Sequence, residues 1–564
     1  MNPGNRHHSL GQALTDSLIQ HKANTAVIEM DREHERTRLT YQEFRHAALR
    51  LAGYMKKRGV APDSRVAIIM SNQSKWLLAA YASLFRGAVL VPIDYKLTAP
   101  EQRALLQHSK SDFLFTEYPL WRTLRPIPFV THVLVSDGPR NDLEDQALHW
   151  DSAAQSDEDA TCVERTREDI AAIVYSSGTG GRPKGCMLSH GNYLEQFNAL
   201  SMLYPLSETD RFFSLLPTNH AIDFMCGFIG PLLSGASIVH QRVLRPEFIM
   251  ATLKQCGISH MAVVPLILEA LERAIREKLD TGPRWGRHAI RQLVRANSAL
   301  TRRRPRHAIS RRLLAPIHTA LGGRLRYLFC GGAKVDPKHA EFLYSLGLPV
   351  VIGYGLTEAC TVLTLNDLKP FRSDSVGSPL PGMSVRIHNP DALGIGEVQV
   401  QSPTVMQGYL DDEEQTLEAF KDGWLKTGDQ GYMDAARHVH LVGRSKNMIV
   451  TAGGKNVYPE DVEGAFAELP CKEFAVMASN FVWPSTKLGD DYLLAVAQPR
   501  DDDAEAFLNA LQRKNRSLPD YKRLRGIVLW DHPFPRTASL KLKRQLLAEQ
   551  MRDQVSQEAI RSLR

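Results

Sequence analysis

The sequence predicts an α/β protein in which mainly parallel sheets are covered by helices. Short runs of β-branched or aliphatic residues recur between longer stretches of helical periodicity, an alternation typical of strand–helix–strand units. Several runs end in glycine, serine or proline, and ligand-binding loops gather at the carboxyl ends of parallel strands. We therefore expect the functional site at those loops. The runs are SRVAIIM from Ser64, AVLVPI from Ala88, DIAAIVYSS from Asp169, HMAVVP from His260, RYLFCGG from Arg326 and PVVIGYG from Pro349.

The chain changes character after about residue 380, where short antiparallel strands are predicted. The segments GEVQV and HVHLVG read as such strands and are separated by acidic and glycine-containing turns. Beyond residue 446 follow a helix opened by Pro459, two strands (KEFAVMAS and DYLLAVAQP) and a charged helix from about Asp503 to Lys514. This α+β module of about 120 residues is long enough to fold alone.

Composition and charge indicate a globular protein of more than one domain. The chain has 564 residues, of which 43% are hydrophobic, enough for a large core. The net charge of +7 is too small for this length to indicate nucleic acid as a partner. The densest basic stretch contains no aromatic residue that could stack on bases. It is either a solvated helical face or a patch attracted to anionic lipid headgroups or to an acidic partner. Its members are Arg302, Arg303, Arg304, Arg306, Arg311 and Arg312.

Cysteine spacing and hydropathy predict a cytoplasmic protein without a transmembrane span. The seven cysteines form no C-x-x-C pair, so neither a zinc site nor a dense disulfide framework is indicated. The first residues are polar and charged where a signal peptide would carry its apolar stretch. The most apolar segment runs from Phe224 to Leu233, about ten residues, and is too short to cross a bilayer.

A glycine-rich loop follows the predicted strand DIAAIV. In YSSGTGGRPKGC, glycines let the backbone approach a ligand, hydroxyls offer donors and Lys184 supplies a positive charge, which suits a polyphosphate. The spacing is not that of the G-x-x-x-x-G-K-[ST] loop, because Gly185 follows the lysine. Taken alone, a surface turn would explain these glycines as well. The expected phosphate-binding residues are Ser176, Ser177, Gly178, Thr179, Gly180, Gly181 and Lys184.

This loop resembles the signature phosphate loop of the adenylate-forming superfamily, which contains AMP-forming acyl-CoA synthetases, peptide synthetase adenylation domains and luciferases. A second segment, GYGLTEAC, places a phenol, a hydroxyl and a carboxylate within five residues after a predicted strand. The resemblance implies that Tyr354 lies against adenine, that Thr357 lies near the α-phosphate and that Glu358 binds Mg²⁺, which prefers oxygen ligands shared with phosphate. Alone, Glu358 would be explained as an acid at a helix N-terminus.

Further segments match the same family in order along the chain. CGGAKVDP resembles its adenine-contacting loop and implies that Gly332 and Ala333 lie against the purine. WLKTGDQG and HLVGRSKN supply Asp429 and Arg444, the pair that holds the ribose hydroxyls in the family. A carboxylate can accept both hydroxyl donors, although an Asp-Gln-Gly turn is the alternative explanation of the aspartate.

The resemblance also implies a mobile C-terminal domain. Lys446 occupies the family's hinge position, about which that domain rotates between two half-reactions. In NMIVTAGGKNVYPEDVE, Gly453 and Gly454 would let a pantetheine arm pass close to the backbone of a thiol tunnel, although a hairpin turn explains the same glycines. The implied domains are residues 1–445, which bind ATP and the acyl group, and residues 446–564, which carry the catalytic lysine.

Two further residues are assigned to catalysis by their motif positions. PRTASLKLKR resembles the family's terminal motif and places Lys541 where it would stabilise charge at the α-phosphate. The family has glycine where this chain has Leu540, and Lys543 is the alternative. His220, in LPTNHAIDF, is expected to gate the acyl pocket rather than act as a base, because the substrate carboxylate is already ionised. The predicted catalytic residues are Lys541, Thr357, Glu358 and His220.

The matches cover nearly the whole chain and imply a large N-terminal domain of two α/β sheet subdomains plus a β-rich subdomain, followed by the small mobile α+β domain. They imply that a carboxylic acid and MgATP give acyl-AMP and pyrophosphate, after which the acyl group passes to a thiol. The loop NMIVTAGGKNVYPEDVE and the Arg-rich insertion from about Asp280 to Arg324 look most like bacterial long-chain fatty acyl ligases. A medium- or long-chain fatty acid and CoA are therefore predicted, for a monomer or homodimer without nucleic acid.

Two alternatives stay open. The acceptor can be the phosphopantetheine thiol of an acyl carrier protein, an acidic partner that suits the basic excess. A protein of another class, a degenerate homologue that only binds nucleotide or a partner, is suggested by Gly180 and Leu540, where family hydroxyl and glycine residues are absent. The joint presence of the lysines, carboxylates and arginine assigned above argues against it, because mere binding does not require that set.

Overall fold

The computed structural model divides the chain into two compact units. One comprises Met1–Val385 with Val400–Leu425, and the other comprises Arg386–Gln399 with Lys426–Arg564. The domain boundary that the sequence places after residue 445 stays a prediction. The residues that the structure describes are 7–143, 147–176, 183–280, 284–450, 456–483, 492–500, 504–536 and 542–563.

Helices and strands alternate through most of the first unit. The α-helices are α1 (Leu10–Gln20), α2 (Tyr41–Lys57), α3 (Ser74–Phe85), α4 (Ala99–His108), α5 (Tyr118–Leu124), α6 (Trp150–Ala154), α7 (His190–Leu203), α8 (Ala221–Asp223), α9 (Gly230–Leu233), α10 (Pro246–Cys256), α11 (Pro265–Asp280), α12 (Arg284–Thr301), α13 (His307–Leu313), α14 (Ala315–Ala320), α15 (Pro337–Ser345), α16 (Glu413–Ala419), α17 (Pro459–Ala465), α18 (Ser479–Val482), α19 (Ala504–Arg516) and α20 (Arg544–Gln554). A π-helix, Phe224–Ile229, joins α8 to α9.

The strands are β1 (Thr25–Asp31), β2 (His34–Thr40), β3 (Arg65–Ile69), β4 (Val89–Pro92), β5 (Phe113–Thr116), β6 (His132–Val135), β7 (Ala147–His149), β8 (Ile170–Ser176), β9 (Lys184–Ser189), β10 (Arg211–Phe213), β11 (Ser237–Gln241), β12 (His260–Val263), β13 (Tyr327–Cys330), β14 (Val350–Tyr354), β15 (Thr364–Leu365), β16 (Ser378–Pro379), β17 (Ser384–His388), β18 (Gly396–Gln401), β19 (Gly408–Tyr409), β20 (Phe420–Lys421), β21 (Trp424–Met433), β22 (Val439–Arg444), β23 (Ile449–Val450), β24 (Asn456–Val457), β25 (Cys471–Ala478), β26 (Leu493–Pro499), β27 (Gly526–Leu529) and β28 (Arg561–Ser562).

The first sheet has nine strands in the order β2-β1-β11-β10-β12-β13-β14-β15-β16. The six strands from β1 to β14 are parallel to one another, and the remaining three at the edges are antiparallel. Their apolar side chains, such as Val239 and Val263, form a core with Leu253, Leu268 and Leu343 from α10, α11 and α15. This is the helix-covered parallel sheet that the sequence predicts.

The second sheet has eight strands in the order β19-β9-β8-β4-β3-β5-β6-β7. Six strands, from β8 to β7, are parallel, while β9 runs antiparallel to β8 and β19 antiparallel to β9. Ile69 and Leu114 pack with Leu106 of α4 and Trp121 of α5. Three of the six apolar runs identified in the sequence lie in each of these sheets, so the predicted α/β class is confirmed.

The antiparallel segments also form as predicted. GEVQV and HVHLVG lie in β18 and β22 of a five-stranded sheet with the order β17-β18-β21-β20, in which β22 pairs with β21. In the C-terminal module, the sheet β25-β26-β27-β28 carries apolar clusters with helices on both faces. One cluster includes Val462 and Phe507 from α17 and α19, and the other includes Val482 and Leu547 from α18 and α20.

The Arg-rich stretch is only partly helical. Arg302, Arg303 and Arg304 lie exposed in the turn that follows α12, whereas Arg311 and Arg312 belong to α13. All seven cysteines are free thiols. Across the parts of the chain described above, no helix combines the length and the apolarity that a membrane crossing requires.

Candidate active site

The glycine-rich loop is the connection of a β-hairpin in the second sheet. Ser176 ends β8, Lys184 begins β9, and the two residues are cross-strand partners. The lysine ammonium lies 4.7 Å from the centre of the Tyr409 ring, in the geometry of a cation–π contact. Five residues expected to bind phosphate lie outside the described residues: Ser177, Gly178, Thr179, Gly180 and Gly181.

Tyr409 is brought to this hairpin by the pairing of β19 with β9, in which it lies opposite Cys186. The preceding segment is held by Asn192, whose side-chain amide donates to the carbonyls of Pro403 and Val405 at 2.8 and 3.1 Å. Asn192 also completes a capping box with Ser189 at the start of α7, so its side chain has a fixed orientation. The hairpin, the helix behind it and the tyrosine therefore form one connected structure.

Glu358 lies in a single turn of 3₁₀-helix, Thr357–Ala359, just beyond the carboxyl end of β14. The chain folds back tightly here, because a Cβ atom on Gly355 would lie 1.7 Å from the carbonyl oxygen of Thr361. Only glycine fits so close an approach. Cys360 adopts a left-handed conformation with φ of 60°, and the chain then returns as β15.

The Glu358 carboxylate is bound by two hydroxyl groups from different parts of the chain. Ser176 Oγ donates to Oε1 at 3.1 Å, and the Tyr409 hydroxyl donates to the same oxygen at 3.2 Å. Burial, assisted by the neighbouring carboxylate, raises the pKa of Tyr409, so its hydroxyl remains a donor. The structure thus joins the glycine-rich hairpin to the GYGLTE segment at the carboxylate that the sequence assigns to Mg²⁺.

The loop expected to contact adenine follows β13, the strand that lies parallel to β14. Gly332 has φ of +85°, where a side chain would be strained, and both it and Ala333 are exposed. A Cβ atom on Gly331 would lie 3.1 Å from the carbonyl oxygen of Gly353, so the two loops approach closely. Tyr354, at the end of β14, is buried. The three residues predicted to contact adenine, Gly332, Ala333 and Tyr354, therefore lie at the carboxyl ends of adjacent strands.

His220 belongs to the same part of the first unit. Its Nε2 lies 3.7 Å from Oδ2 of Asp94, which follows β4 of the second sheet. The next residue, Ala221, accepts a hydrogen bond from Thr361 Oγ1 at 2.8 Å, so this segment contacts the turn that carries Thr357 and Glu358. The predicted acyl-gating histidine therefore lies where loops from both sheets meet.

In the second unit, the two residues assigned to ribose form a pair. Asp429 of β21 and Arg444 of β22 are cross-strand partners, and Arg444 Nε donates to Asp429 Oδ1 at 2.9 Å. Asp429 is buried, which makes a partner for its charge necessary. Lys446 lies exposed in the 3₁₀ turn Ser445–Asn447 that connects β22 to β23.

The remaining predicted residues, Gly453, Gly454 and Lys541, lie outside the described residues, as does Leu540. Just after them, the Lys543 amide donates to the carbonyl of Pro535 at 2.8 Å. Arg544 then donates to both carboxylate oxygens of Glu463 at 2.8 and 2.9 Å. These bonds fix the start of α20 within the second unit.

Sequence reasoning missed two residues of the site. Tyr409 contacts Glu358 and Lys184, and Asp94 contacts His220, yet none of these pairs is close in sequence. Tyr409 reaches the site only through the β9–β19 pairing, which no local pattern indicates. The signal for Asp94 is its place just after the strand run AVLVPI, where loop residues of a parallel sheet were expected to gather.

Comparison with known proteins identifies the family of this chain. The model of the AMP-binding enzyme family matches residues 14–410, and the chain belongs to that family. It is an AMP-forming ligase of the acyl-CoA synthetase type, a member of the adenylate-forming superfamily that the sequence motifs predict.

Relatives differ in the acids and acceptors given in their names. The chain is 29% identical over 449 residues to long-chain-fatty-acid–CoA ligase FadD15 of Mycobacterium bovis, covering 75% of this chain and 72% of the relative. It is 28% identical over 521 residues to feruloyl-CoA synthase of Amycolatopsis sp, covering 90% and 93%. It is 24% identical over 622 residues to the chloroplastic long-chain-fatty-acid–[acyl-carrier-protein] ligase AEE15 of Arabidopsis thaliana, covering 92% and 82%.

The fold is shared with solved structures. The o-succinylbenzoate CoA synthetase MenE from Bacillus subtilis, solved with its acyl-adenylate intermediate, superposes with a TM-score of 0.74 over 95% of this chain and 97% of its own, at 21% identity. Such a likeness establishes the architecture of adenylate-forming enzymes for this chain.

Proposed function

We propose that this protein activates a medium- or long-chain fatty acid with ATP and then transfers the acyl group to the thiol of CoA. The observation that carries the proposal is the convergence of Ser176 and Tyr409 on Glu358, which joins the phosphate loop to the expected metal ligand. The membership of the AMP-binding enzyme family gives this convergence its chemical context.

In the first half-reaction, a carboxylate oxygen of the acid forms a bond to the α-phosphorus of ATP. The bond from that phosphorus to the bridging oxygen breaks, and the electron pair leaves with pyrophosphate. Lys184 and the hydroxyls of the β8–β9 connection bind the phosphate charge, and Lys541 stabilises the additional charge on the α-phosphate in the transition state. Thr357 donates its hydroxyl near the same phosphate.

The surroundings of Glu358 fit Mg²⁺. The metal prefers oxygen ligands and takes few of them from the protein when phosphates supply the rest. Both hydrogen bonds to the Glu358 carboxylate come from neutral hydroxyls, which orient it and leave its negative charge in place. When bound, the metal would neutralise charge on the phosphates.

The nucleotide is held by residues from several loops. Adenine is contacted by Tyr354, Gly332 and Ala333. The backbone at Gly332, after β13, is exposed and has no side chain, so the purine can lie close to it. Asp429 and Arg444 hold the ribose. Arg444 Nε donates to Oδ1 of Asp429, which orients this carboxylate, and carboxylate oxygens accept hydroxyl donors such as those of ribose.

In the second half-reaction, the CoA sulfur attacks the acyl carbonyl carbon of acyl-AMP. The bond from that carbon to the phosphate oxygen breaks, AMP leaves, and the thiol proton passes to solvent. Rotation of the C-terminal domain at Lys446 opens the path for the thiol, and Gly453 and Gly454 line it. His220 gates the acyl site during both steps.

Three features support a fatty acid as the substrate. FadD15, among the relatives, is named for long-chain fatty acids. The Arg-rich insertion and the glycine-rich loop after Lys446 resemble those of bacterial long-chain ligases. The residues after His220, which form α8 and the π-helix, are mostly apolar, as an acyl pocket requires.

A second acceptor is supported by a separate observation. The Arabidopsis relative is named as an acyl-carrier-protein ligase, and a carrier protein presents the same phosphopantetheine thiol as CoA on an acidic surface. The positive net charge of this chain suits such a partner.

The test is pyrophosphate release from MgATP with fatty acids of increasing chain length. Ferulic acid and succinylbenzoic acid are assayed for comparison. Each acid is assayed without acceptor, with CoA and with phosphopantetheinylated carrier protein. The proposal expects release only with medium- or long-chain acids and steady turnover only with CoA. Turnover only with the carrier selects the second acceptor, and activity only with an aromatic acid overturns the substrate class.

A further inference from the structure

A long stretch of the chain carries only positive charge. Between Asp280 and Asp336 there is no aspartate or glutamate in 55 residues, but there are 12 arginines and one lysine. The formal charge of this stretch therefore exceeds the net charge of +7 of the whole protein. Positive charge concentrated in one stretch produces a strong local electric field, which is not apparent from the net charge of the whole chain.

Helix α12, at the start of this stretch, separates its residues by face. Spaced three or four positions apart, five apolar residues share one side of the helix. All five are exposed, with Trp285 at 78%, Leu300 at 49% and Leu293 at 37%. The stripe consists of Trp285, Ala289, Leu293, Ala296 and Leu300.

A different face of α12 fixes the helix to the protein. Asn297 is buried and donates from Nδ2 to the carbonyl of Ser345 at 2.9 Å. The carbonyl of Thr301, also buried, accepts from the Tyr344 hydroxyl at 2.8 Å. Because these anchors hold the opposite edge against α15, the exposed stripe is a fixed feature of the surface.

Arginines lie on another exposed face of the same helix, separated from the stripe by polar residues. Arg291 and Arg295 are exposed and lie one helical turn apart, and the exposed turn of Arg302, Arg303 and Arg304 continues the positive surface at the end of the helix. Arg291 has a weak ion pair with Asp280 at 3.4 Å, in which its side chain is still 69% exposed. The guanidinium groups are thus available to phosphates.

We propose that α12 and the turn after it dock on the surface of an anionic lipid bilayer. A basic amphipathic helix binds in the plane of such a surface, with its apolar side chains among the acyl chains and its arginines at the lipid phosphates. Tryptophan is the residue that most prefers the membrane–water interface. Arginine matches phosphate better than lysine does because its guanidinium can donate two parallel hydrogen bonds.

The apolar stripe favours a bilayer over an acidic protein. An acidic partner would be satisfied by the arginines alone, whereas an uninterrupted stripe with a largely exposed tryptophan needs an apolar environment to bury it. The apolar stripe and the arginines occupy separate exposed faces of one helix, so apolar and charged contacts with an interface come from the same element. This inference does not depend on the fatty acid substrate proposed above.

The experiment is sedimentation of the full chain with large vesicles of phosphatidylcholine, with and without phosphatidylglycerol. Two variants remove the two contributions separately, Leu293→Ser with Leu300→Ser and Arg291→Glu with Arg295→Glu. Matched controls make the same changes at exposed positions elsewhere, Leu393→Ser with Leu417→Ser and Lys22→Glu with Lys254→Glu.

The wild type and both controls should bind the anionic vesicles, and the partition coefficient should fall by about tenfold or more in each α12 variant. Acid-dependent pyrophosphate release without vesicles should be unchanged in all variants, which shows that they fold. Equal binding by α12 variants and controls, or no preference for phosphatidylglycerol, overturns the proposal. Absence of vesicle binding together with arginine-dependent binding to an acidic carrier protein also overturns it and identifies a protein partner.

Discussion

At the scale of single residues, the site depends on how Glu358 is held. Two hydroxyl donors converge on one of its oxygens, so the carboxylate is oriented without being neutralised. Ser176 comes from the β8–β9 hairpin and Tyr409 from β19, far along the chain, so the position of Glu358 is sensitive to both. In the metal-binding role proposed for Glu358, a preorganised carboxylate would need no reorganisation during the reaction.

Glu358→Gln is expected to lower acid-dependent pyrophosphate release by about 10²–10³-fold. The amide oxygen can still accept from Ser176 and Tyr409, so folding and nucleotide binding should persist while the charge for Mg²⁺ is lost. Glu341→Gln is the matched control, because Glu341 also accepts a serine hydroxyl, from Ser373 at 2.8 Å, but has no assigned role. Steady-state rates over a Mg²⁺ series measure the effect. A Glu358→Gln enzyme with wild-type rates would remove the metal assignment.

Asp223 predicts a pH dependence of stability. It is fully buried beside Ser214 and Thr218, which donate to it, and burial raises its pKa from 3.8 to about 7. Between these values the folded state binds the proton more tightly than the unfolded state, so the free energy of unfolding contributed by this group falls as pH rises to about 7.

Asp223→Asn removes that ionisation and keeps an oxygen for both donors. The free energy of unfolding of the variant minus that of the wild type should be larger at about pH 8 than at about pH 5, by on the order of 1–3 kcal/mol. Urea denaturation at the two pH values measures the difference. An identical pH dependence in both proteins would show that Asp223 does not titrate in this range.

At the scale of elements, the C-terminal helix α20 is attached through an ion pair that is mostly buried. Arg544, with a side chain 16% exposed, bonds to both oxygens of Glu463, which is 21% exposed. The pKa of Arg544 is raised because the attraction of Glu463 and Glu460 outweighs the cost of burial. This attachment fixes the start of α20, the helix that follows Lys541, the proposed catalytic lysine, in the sequence.

Arg544→Met should therefore destabilise the protein by about 3–5 kcal/mol, because the glutamates would be left buried without a partner. Lys522→Met provides the comparison. Lys522 pairs with Asp461 in the same unit, but at greater exposure, and its loss should cost less than about 1 kcal/mol. Chemical denaturation of the three proteins gives the difference. Equal costs would mean that the Arg544 pair is not a fixed part of the fold.

The elements show how far the sequence alone reaches. The six apolar runs predicted strands correctly because their periodicity and flanking glycines are local properties. The convergence on Glu358 could not be predicted, since it arises from the pairing of β19 with β9 between residues far apart in the chain. The exposed stripe of α12 was missed for a related reason. Its helical periodicity is visible in the sequence, but only the packing against α15 shows which apolar residues stay uncovered.

At the scale of the whole molecule, the proposed function places both half-reactions on one chain, with Lys541 in its C-terminal part as the proposed catalytic lysine. Lys541→Ala should reduce acyl-AMP formation by about 10²–10³-fold and leave ATP binding intact, because its charge is used in the transition state. Lys543→Ala, two positions on, should have a much smaller effect. Quenched single-turnover assays for acyl-AMP, with equilibrium nucleotide binding, separate the two. The reverse pattern would transfer the catalytic role to Lys543.

The AMP-binding enzyme family model matches residues 14–410, and the proposed function requires that this chain form an acyl-adenylate with a fatty acid. The most direct measurement is fatty-acid-dependent exchange of labelled pyrophosphate into ATP without any thiol acceptor. Exchange is expected to require both the acid and Mg²⁺ and to be lost in Glu358→Gln. No exchange with any chain length, or release of ADP and phosphate instead of AMP and pyrophosphate, would contradict it.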